Sequence, residues 1–234
     1  MPILPLTSRK LPEEKRLAWG YLTVLTRITN FMIQIVPAHT KKLMHAFAEF
    51  PFSLYSNHPY WVPPIINAEL ASWDKTKNPV FDHAEADFFL AYKDEQIVGR
   101  VACIVNHTEV NQQGIAKMRF GWFDFIDDYQ VSSALLNHVA EYGRRRGLRF
   151  MEGPVGFSNL DKVGVMTSGF DHIGTMITWY NHPYYADHYR WFGMTKEKGY
   201  LESKFLLSSI DGNKYNRLAH IVAGRFKLKT LNFK

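Results

Sequence analysis

Residues 87–105 read DFFLAYKDEQIVGRVACIV, in which the polar turn Lys93–Gln96 joins two apolar runs, Asp87–Tyr92 and Ile97–Val105. A third apolar run, Met118–Ile126, follows after a polar connection. Runs of this length that are rich in Phe, Val and Ile are typical of strands, and the short connections predict an antiparallel meander. This meander forms the centre of the predicted fold.

A helix and a fourth strand complete the central unit. The helix is predicted over residues 129–147, with Asp127 or Asp128 as its cap. Its apolar residues at helical spacing are Val131, Leu135, Val139 and Tyr142. The next run, Leu148–Met151, predicts a strand that pairs in parallel across the helix. In such α/β units a ligand binds at the carboxyl ends of the strands, beside the helix N-terminus, and this draws attention to Asp124–Ser133.

Before the meander, the sequence predicts one short strand and two helices. The strand is Met32–Val36. Thr40 can cap a helix over Lys41–Tyr55, which Pro51 should kink or split because proline donates no helical hydrogen bond. A second helix is predicted over Pro64–Trp73, since proline is tolerated in a first turn.

After the central unit, the sequence predicts a helix over Tyr184–Phe192 that Gly193 ends, and a last strand, Ser203–Leu207. Gly121, inside the third strand run, predicts a bulge or a close approach of another backbone. The fold class is therefore α/β (α+β), with a mixed central sheet of about six to seven strands flanked by helices.

The composition is that of a globular protein, with 234 residues, 46% of them hydrophobic and 21% charged. The apolar stretch Leu17–Ile28 is too short and too interrupted to span a bilayer, and no small-residue cleavage site follows it. We therefore expect no transmembrane segment and a cytoplasmic location. Cys103, the single cysteine, excludes an internal disulfide and a cysteine-based zinc cluster, and its apolar run predicts a buried, inert thiol.

The formal net charge of +6 allows anionic partners, but the basic clusters do not combine with a nucleic-acid motif. We therefore expect no specific nucleic-acid partner. His83 lies between Asp82 and Glu85, yet no second ligand motif accompanies it, so a structural or surface histidine is expected and no metal.

The order strand, two helices, three-strand meander, helix, strand, helix, strand resembles the GNAT acyltransferase superfamily. A bacterial group of GNAT-like proteins, often unassigned in function, is more similar still. The motifs shared with that group are NHPYWVP at 57–63, KNP at 77–79, GRVA at 99–102, GWFD at 121–124 with Asp127-Asp128, Gly153-Pro154, Gly169-Phe170 and NHPYY at 181–185.

The resemblance covers about residues 32–208 and divides the chain into three parts. Residues 1–31 are predicted to be an N-terminal extension or the product of a misplaced start, and residues 32–210 the GNAT-like domain. Because members of the group are longer, we expect the basic residues 211–234 to begin a truncated second half.

The resemblance implies acetyl-CoA as the acyl donor and an amine as the acceptor. It places the cofactor beside Phe123 and Phe125 and at the helix start, at Gln130, Ser132 and Ser133. The superfamily signature is Arg or Gln, two residues, Gly, one residue, then Gly or Ala, and Asp127–Ser132 lacks those glycines. A plain helix cap at Asp127-Asp128, with no nucleotide, is an equal alternative for this segment.

For catalysis, the segment from Tyr189 to Met194 resembles the family's Tyr-x-x-x-Gly-Phe, so the resemblance implies Tyr189 as the general acid for the CoA thiolate. Buried packing of that ring is the alternative. Asp124 is the candidate base, with a helix cap or a solvent-facing carboxylate as its alternatives. The acceptor pocket is assigned to four residues, for which a proline-bounded turn is the other interpretation: Trp179, Asn181, Tyr184 and Tyr185.

The sequence therefore predicts an acyl-CoA-dependent N-acyltransferase that transfers an acetyl group to a small-molecule or protein amine. The alternative is a degenerate GNAT-fold domain that binds or scaffolds without CoA turnover. A basic module for nucleic acid or a membrane surface is a third interpretation. A homodimer is left open.

Overall fold

The structure, a computed structural model, describes residues 32–158 and 161–229. Its sheet contains β1 (Gln34–Pro37), β2 (Ala84–Lys93), β3 (Gln96–Asn106), β4 (Lys117–Phe125) and β5 (Phe150–Glu152), in that spatial order. The first three neighbouring pairs are antiparallel, and β4 pairs with β5 in parallel. The predicted meander and the parallel pairing are therefore confirmed.

The described residues also form five α-helices: α1 (Lys41–Leu54), α2 (Ile66–Ser72), α3 (Tyr129–Arg144), α4 (Tyr185–Phe192) and α5 (Gly212–Phe226). Short turns of other helix types lie at Pro79–Asp82, Thr108–Gln112 and Leu207–Ser209. The fold is therefore α/β (α+β), with a mixed sheet and helices on both of its faces, as predicted. None of the described helices is long and apolar enough to cross a membrane.

Side chains alternate between the two faces of the sheet, because successive residues of a strand point to opposite sides. Phe89 and Val101 belong to a core with the apolar side of α3, whereas Phe88 and Leu90 belong to a core with Phe47 of α1. The meander is buried on both faces, which explains why its runs are almost continuously apolar. Cys103 lies fully buried in β3, as expected, and burial raises the pKa of its thiol.

The helix caps follow the sequence prediction. The hydroxyl of Thr40 accepts from the backbone N–H of Leu43 at the start of α1. Asp128 accepts from the N–H of Gln130 at the start of α3 and forms an ion pair with Lys93. Gly193 ends α4 in the left-handed conformation, with a φ of 90°.

Helix α1 is continuous through Pro51, so the prediction of a split helix is wrong. Proline lacks the N–H that would donate to the carbonyl of Phe47, four residues earlier. The guanidinium of Arg100 on β3 donates to that carbonyl instead, with 2.6 Å between Nη1 and the oxygen. A side chain of the sheet thus satisfies the acceptor that the proline leaves free.

The strand count is the second correction, since the described residues form five strands and not six or seven. The segment Ser203–Leu207, predicted as the last strand, pairs with none of them and is exposed throughout. An alternating apolar pattern becomes a strand only where a neighbouring edge pairs with its backbone groups. The predicted extension at 1–31 lies outside the described residues, and the second-half hypothesis for 211–234 stays a prediction.

Both features considered for Gly121, a β-bulge and a close approach of another backbone, are present. Arg100 on β3 pairs with Asp124 on β4, and Ala102 pairs with Gly121. One residue separates the two partners on β3 and two residues separate them on β4, so β4 contains a β-bulge. Trp122, the residue after the glycine, has a φ of 43°. A Cβ at Gly121 would lie 2.5 Å from the carbonyl oxygen of Val155, which shows how closely the segment after β5 approaches β4.

We therefore expect Gly121→Ala to lower the free energy of unfolding by about 1–3 kcal/mol, because the clash is with backbone and cannot be relieved by a rotamer change. Gly212→Ala is the control, since a Cβ there meets open space. Denaturant unfolding of both variants checks this, and equal stability of the two would contradict the close approach.

Candidate active site

A buried ion pair between Asp124 on β4 and Arg100 on β3 lies at the carboxyl end of β4. Nε of Arg100 donates to Oδ2 of Asp124 over 2.7 Å, and Nη2 lies 2.7 Å from the same oxygen. The two residues are only 8% and 5% exposed. The bulge in β4 sets their registry, since it brings Asp124 opposite Arg100. A buried carboxylate held in this way remains charged only because a cation compensates it.

Two tyrosines complete the hydrogen bonds of Asp124. The hydroxyl of Tyr55, at the end of α1, donates to Oδ1 over 2.7 Å, and the hydroxyl of Tyr185, at the start of α4, lies 3.4 Å from it. The two hydroxyls are 2.9 Å apart, and that of Tyr185 accepts from the backbone N–H of Phe125. Both oxygens of the carboxylate therefore accept hydrogen bonds already.

The pKa values of these phenols reflect their burial. Burial raises the pKa of Tyr55 and Tyr185 well above the usual value, and the negative charge of Asp124 raises them further. The same two causes raise the pKa of Tyr189. All three therefore hold their protons at neutral pH, so each can donate a hydrogen bond.

A shallow cleft opens beside this cluster, with a volume of about 10 Å³, which is room for about one water molecule. Five of the predicted site residues line it together: Phe123, Asp124, Trp179, Asn181 and Tyr185. Asn181 is buried, and its side-chain oxygen accepts from the backbone N–H of Met166 while its amide donates to the carbonyl of His182. Those bonds fix the loop that forms one wall of the cleft.

The other predicted acceptor residue, Tyr184, lies beside the cleft and not in its lining. Its hydroxyl donates to the carbonyl of Phe125 over 2.5 Å, and its ring packs on those of Tyr185 and His182. Tyr184 therefore fastens the start of α4 to the end of β4.

Tyr189, the predicted general acid, is buried on α4 with its ring against Phe120 and Phe123 of β4. Within residues 32–158 and 161–229, its hydroxyl has no hydrogen-bond partner. A buried donor without a partner costs about 1–3 kcal/mol, so it needs an explanation. A bound group that accepts from it is one such explanation.

The residues predicted to bind the cofactor are mostly occupied by contacts within the protein. The rings of Phe123 and Phe125 are buried in the core. The N–H of exposed Gln130 already donates to the Asp128 side chain, and the half-buried Ser133 hydroxyl accepts from Asn137. The start of α3 is thus capped by a carboxylate of its own chain, as the helix-cap alternative predicted.

Ser132 is fully buried and belongs to an arrangement that the sequence did not reveal. Its hydroxyl lies 2.7 Å from Nδ1 of His188, whose Nε2 lies 3.0 Å from a carboxylate oxygen of Asp127. The contacts run from serine to histidine to aspartate, as in the catalytic triad of a hydrolase. Ser132, however, is fully buried, so a substrate cannot reach its hydroxyl. The three residues instead connect α4 to the start of α3.

Sequence reasoning also missed Arg100, Tyr55 and His58 as site residues, and it did not single out Tyr180 within the segment predicted to line the acceptor pocket. Arg100 carried a usable signal, because a charged residue inside an apolar strand run requires a buried partner. The hydroxyl of Tyr180, in the cleft lining, lies 2.5 Å from Nε2 of His58. Their sequence separation of 122 residues left no local signal for that contact. No group of three or more potential metal ligands occurs within the described ranges.

No family model matches this chain. Protein YghO of Escherichia coli K12 is 31% identical over 159 residues, which are 67% of this chain and 40% of that protein. A bacterial ceramide synthase of Caulobacter vibrioides is 28% identical over 181 residues, or 77% of this chain and 46% of the synthase. The chain thus spans less than half the length of each of these two relatives.

Similar solved structures include a tandem GNAT protein from the clavulanic acid biosynthesis pathway. The match has a TM-score of 0.45 and 14% identity, and it covers 69% of this chain and 43% of that protein. A putative acetyl transferase from Pyrococcus furiosus has a TM-score of 0.44 and 13% identity, with 74% of this chain and 99% of that protein covered.

The buried ion pair gives a prediction for stability. Asp124→Asn should lower the free energy of unfolding by about 3–5 kcal/mol, because it leaves the buried charge of Arg100 without compensation. Glu141→Gln removes a carboxylate from an exposed cluster with Arg144 and Arg145 and should change stability little. Urea unfolding measures both variants. Equal losses of unfolding free energy in the two variants would show that the Arg100–Asp124 ion pair contributes no more to stability than a surface ion pair.

The raised tyrosine pKa values give a prediction for alkaline pH. The folded chain keeps the Tyr55, Tyr185 and Tyr189 phenols neutral, whereas the unfolded chain releases these protons near the ordinary value of about 10. Their contribution to stability is therefore complete below about pH 10 and is lost as the pH rises toward the folded-state pKa.

The variant Tyr55→Phe should show a shallower fall in the free energy of unfolding over that alkaline range, whatever its stability at pH 7. Urea unfolding of both proteins at a series of alkaline pH values measures the two slopes. Parallel slopes would mean that Tyr55 titrates alike in the folded and unfolded chain.

Proposed function

We propose that this chain is an acyl-CoA-dependent N-acyltransferase domain whose acceptor is an amine. The observation that carries the proposal is the buried hydroxyl of Tyr189, which has no partner within the described ranges and packs beside β4. In the family that the chain resembles, a tyrosine at this point of the sequence protonates the CoA thiolate.

The fit of an acyl donor is supported by the polar groups at the carboxyl end of β4. Tyr189 holds a proton that no protein acceptor among the described residues takes, so it suits a leaving thiolate. Gln130 and Ser133 lie at the surface end of α3, where the positive end of a helix dipole favours a phosphate. When bound, acyl-CoA supplies a thioester carbonyl for attack by the amine.

The cleft residues suit the acceptor side. Asp124, Asn181 and Tyr185 present polar atoms in a pocket whose other walls include Trp179 and Phe123. The sequence predicts Asp124 as the base. To take up a proton it must first release one of its hydrogen-bond partners, because Arg100 holds one oxygen and Tyr55 the other.

The relative from Caulobacter vibrioides extends the proposal to the substrate class. That relative is a bacterial ceramide synthase, and a ceramide is an amide of a long-chain amine. We therefore propose an amine as the acceptor and include lipid amines in the substrate class. Acetyl is the donor group that the superfamily resemblance implies, and a fatty acyl group is the one that this relative favours.

The start of α3 favours a second candidate, a GNAT-like domain that binds or scaffolds without turnover. Asp128 occupies the N–H of Gln130, and the segment has no glycine to admit a phosphate to the backbone. A carboxylate at this position also repels a polyanion. In this candidate, the rest of a longer polypeptide or another chain would supply the catalytic half.

Calorimetric titration of the chain with acetyl-CoA and with palmitoyl-CoA tests the proposal, and turnover is measured with sphinganine and with a short alkylamine. We expect heat with at least one donor, and Tyr189→Phe should lower kcat about a hundredfold with nearly unchanged donor affinity, because it removes only a proton donor. Tyr142→Phe is the control: that ring is similarly buried, and its hydroxyl binds Asp87. Absence of heat with both donors defeats the proposal in favour of the second candidate.

A further inference from the structure

A histidine and a tyrosine from distant parts of the sequence meet at the cleft. His58 lies in the turn between α1 and α2, and Tyr180 lies in the segment before α4. The Tyr180 hydroxyl is 2.5 Å from Nε2 of His58, and the ring centroids are 4.4 Å apart. The contact is one of the shortest hydrogen bonds around the cleft, and none of the roles assigned above uses it.

The pair links the cleft lining to a partly exposed histidine. Tyr180 is half-buried and lines the cleft together with Asp124 and Asn181. His58 is half-buried as well and contacts the Tyr180 hydroxyl. A partly exposed imidazole is therefore in hydrogen-bond contact with a residue of the cleft lining.

The surroundings of His58 keep its ring neutral near pH 7. Burial lowers the pKa of His58 below the usual 6.5, and the neighbouring His182 ring lowers it further. The groups that face it are Tyr60 of its own turn and Tyr180 and His182 of the segment before α4. Burial raises the pKa of Tyr180, so the Tyr180 phenol is protonated. A neutral imidazole next to a protonated phenol has the protonation states of a base and its relay.

We propose that Tyr180 and His58 form the proton relay that deprotonates the acceptor amine, with Tyr180 as the contact to substrate and His58 as the terminal base. This inference rests on the proposed acyltransferase function. It assigns the base that the reaction needs to residues other than Asp124, whose oxygens already accept hydrogen bonds from Arg100 and Tyr55.

The proton balance of the step is complete. An N–H bond of the substrate ammonium breaks as its proton moves to the Tyr180 hydroxyl oxygen. The proton of that hydroxyl moves to Nε2 of His58, which becomes an imidazolium. The partly exposed imidazolium then releases a proton to water. The amine keeps the electron pair that it needs for attack on the thioester carbonyl.

The relay needs a free electron pair on Nε2, so the tautomer of His58 is decisive. The backbone N–H of Tyr60 lies 3.4 Å from Nδ1, a long contact that would favour a proton on Nε2. With the proton on Nδ1, the Tyr180 hydroxyl donates to Nε2, and this is the tautomer that the relay requires.

Nitrogen NMR of the full chain with labelled histidines tests the relay without any turnover. We expect the Nε2 signal of His58 to be that of an unprotonated nitrogen at pH 7, to change on Tyr180→Phe, and to titrate below pH 6.5. A proton on Nε2 at pH 7, or a His58 signal that ignores Tyr180→Phe, would overturn the inference even if the chain binds no acyl-CoA.

The pH dependence of kcat/KM provides the kinetic test. The parent should lose activity as the pH falls through the His58 pKa, since the imidazolium cannot accept a proton. His58→Asn and Tyr180→Phe should lower kcat/KM at least tenfold at pH 8 and lose that acid limb, while the donor affinity stays the same. His45→Asn, an exposed histidine on α1, should keep the parent profile. Active parent protein with an unchanged acid limb in His58→Asn would exclude the relay and leave the acyltransferase proposal standing.

Discussion

The ion pair of Arg100 and Asp124 holds together parts of the chain that are far apart in sequence. Arg100 reaches two acceptors at once: the carboxylate of Asp124 on the next strand and the Phe47 carbonyl that Pro51 leaves unpaired in α1. Asp124 in turn receives the hydroxyls of Tyr55 and Tyr185, from the end of α1 and the start of α4. One buried charge pair thus fixes two helices against the sheet at the point where the cleft opens.

The β4 bulge determines where that pair can form. The bulge adds one residue between Gly121 and Asp124, and this places Asp124 opposite Arg100. Trp122, within the bulge, adopts a positive φ. Gly121 also admits the backbone of Val155 at a distance that no side chain would allow. The same short segment therefore places the carboxylate and brings the wall of the cleft against β4.

The cleft and the start of α3 favour different conclusions about chemistry. Beside β4 lies the Tyr189 hydroxyl, which has no partner within the described ranges, and at the cleft Tyr180 contacts His58; we propose proton transfer for both. At the start of α3, Asp128 satisfies the backbone N–H of Gln130 that a phosphate would otherwise use. If the chain takes part in acyl transfer, other groups would have to hold the nucleotide, and both relatives extend well beyond the part that this chain matches.

The sequence by itself determined the meander, the crossover helix and its caps, whereas the roles of Phe123, Asp124, Trp179, Asn181 and Tyr185 come from the family resemblance and stay predictions. Those features depend on apolar periodicity, on short turns and on motifs with local spacing, so nearby residues suffice to predict them. Only the tertiary structure decided that α1 continues through Pro51, that Ser203–Leu207 is not a strand and that His58 contacts Tyr180. In each case the deciding partner, or the lack of one, lies far away in sequence: a guanidinium on β3, a sheet edge, and a hydroxyl 122 residues distant. Backbone and side-chain polar groups find their partners through the folded arrangement, and local sequence does not specify which partner that will be.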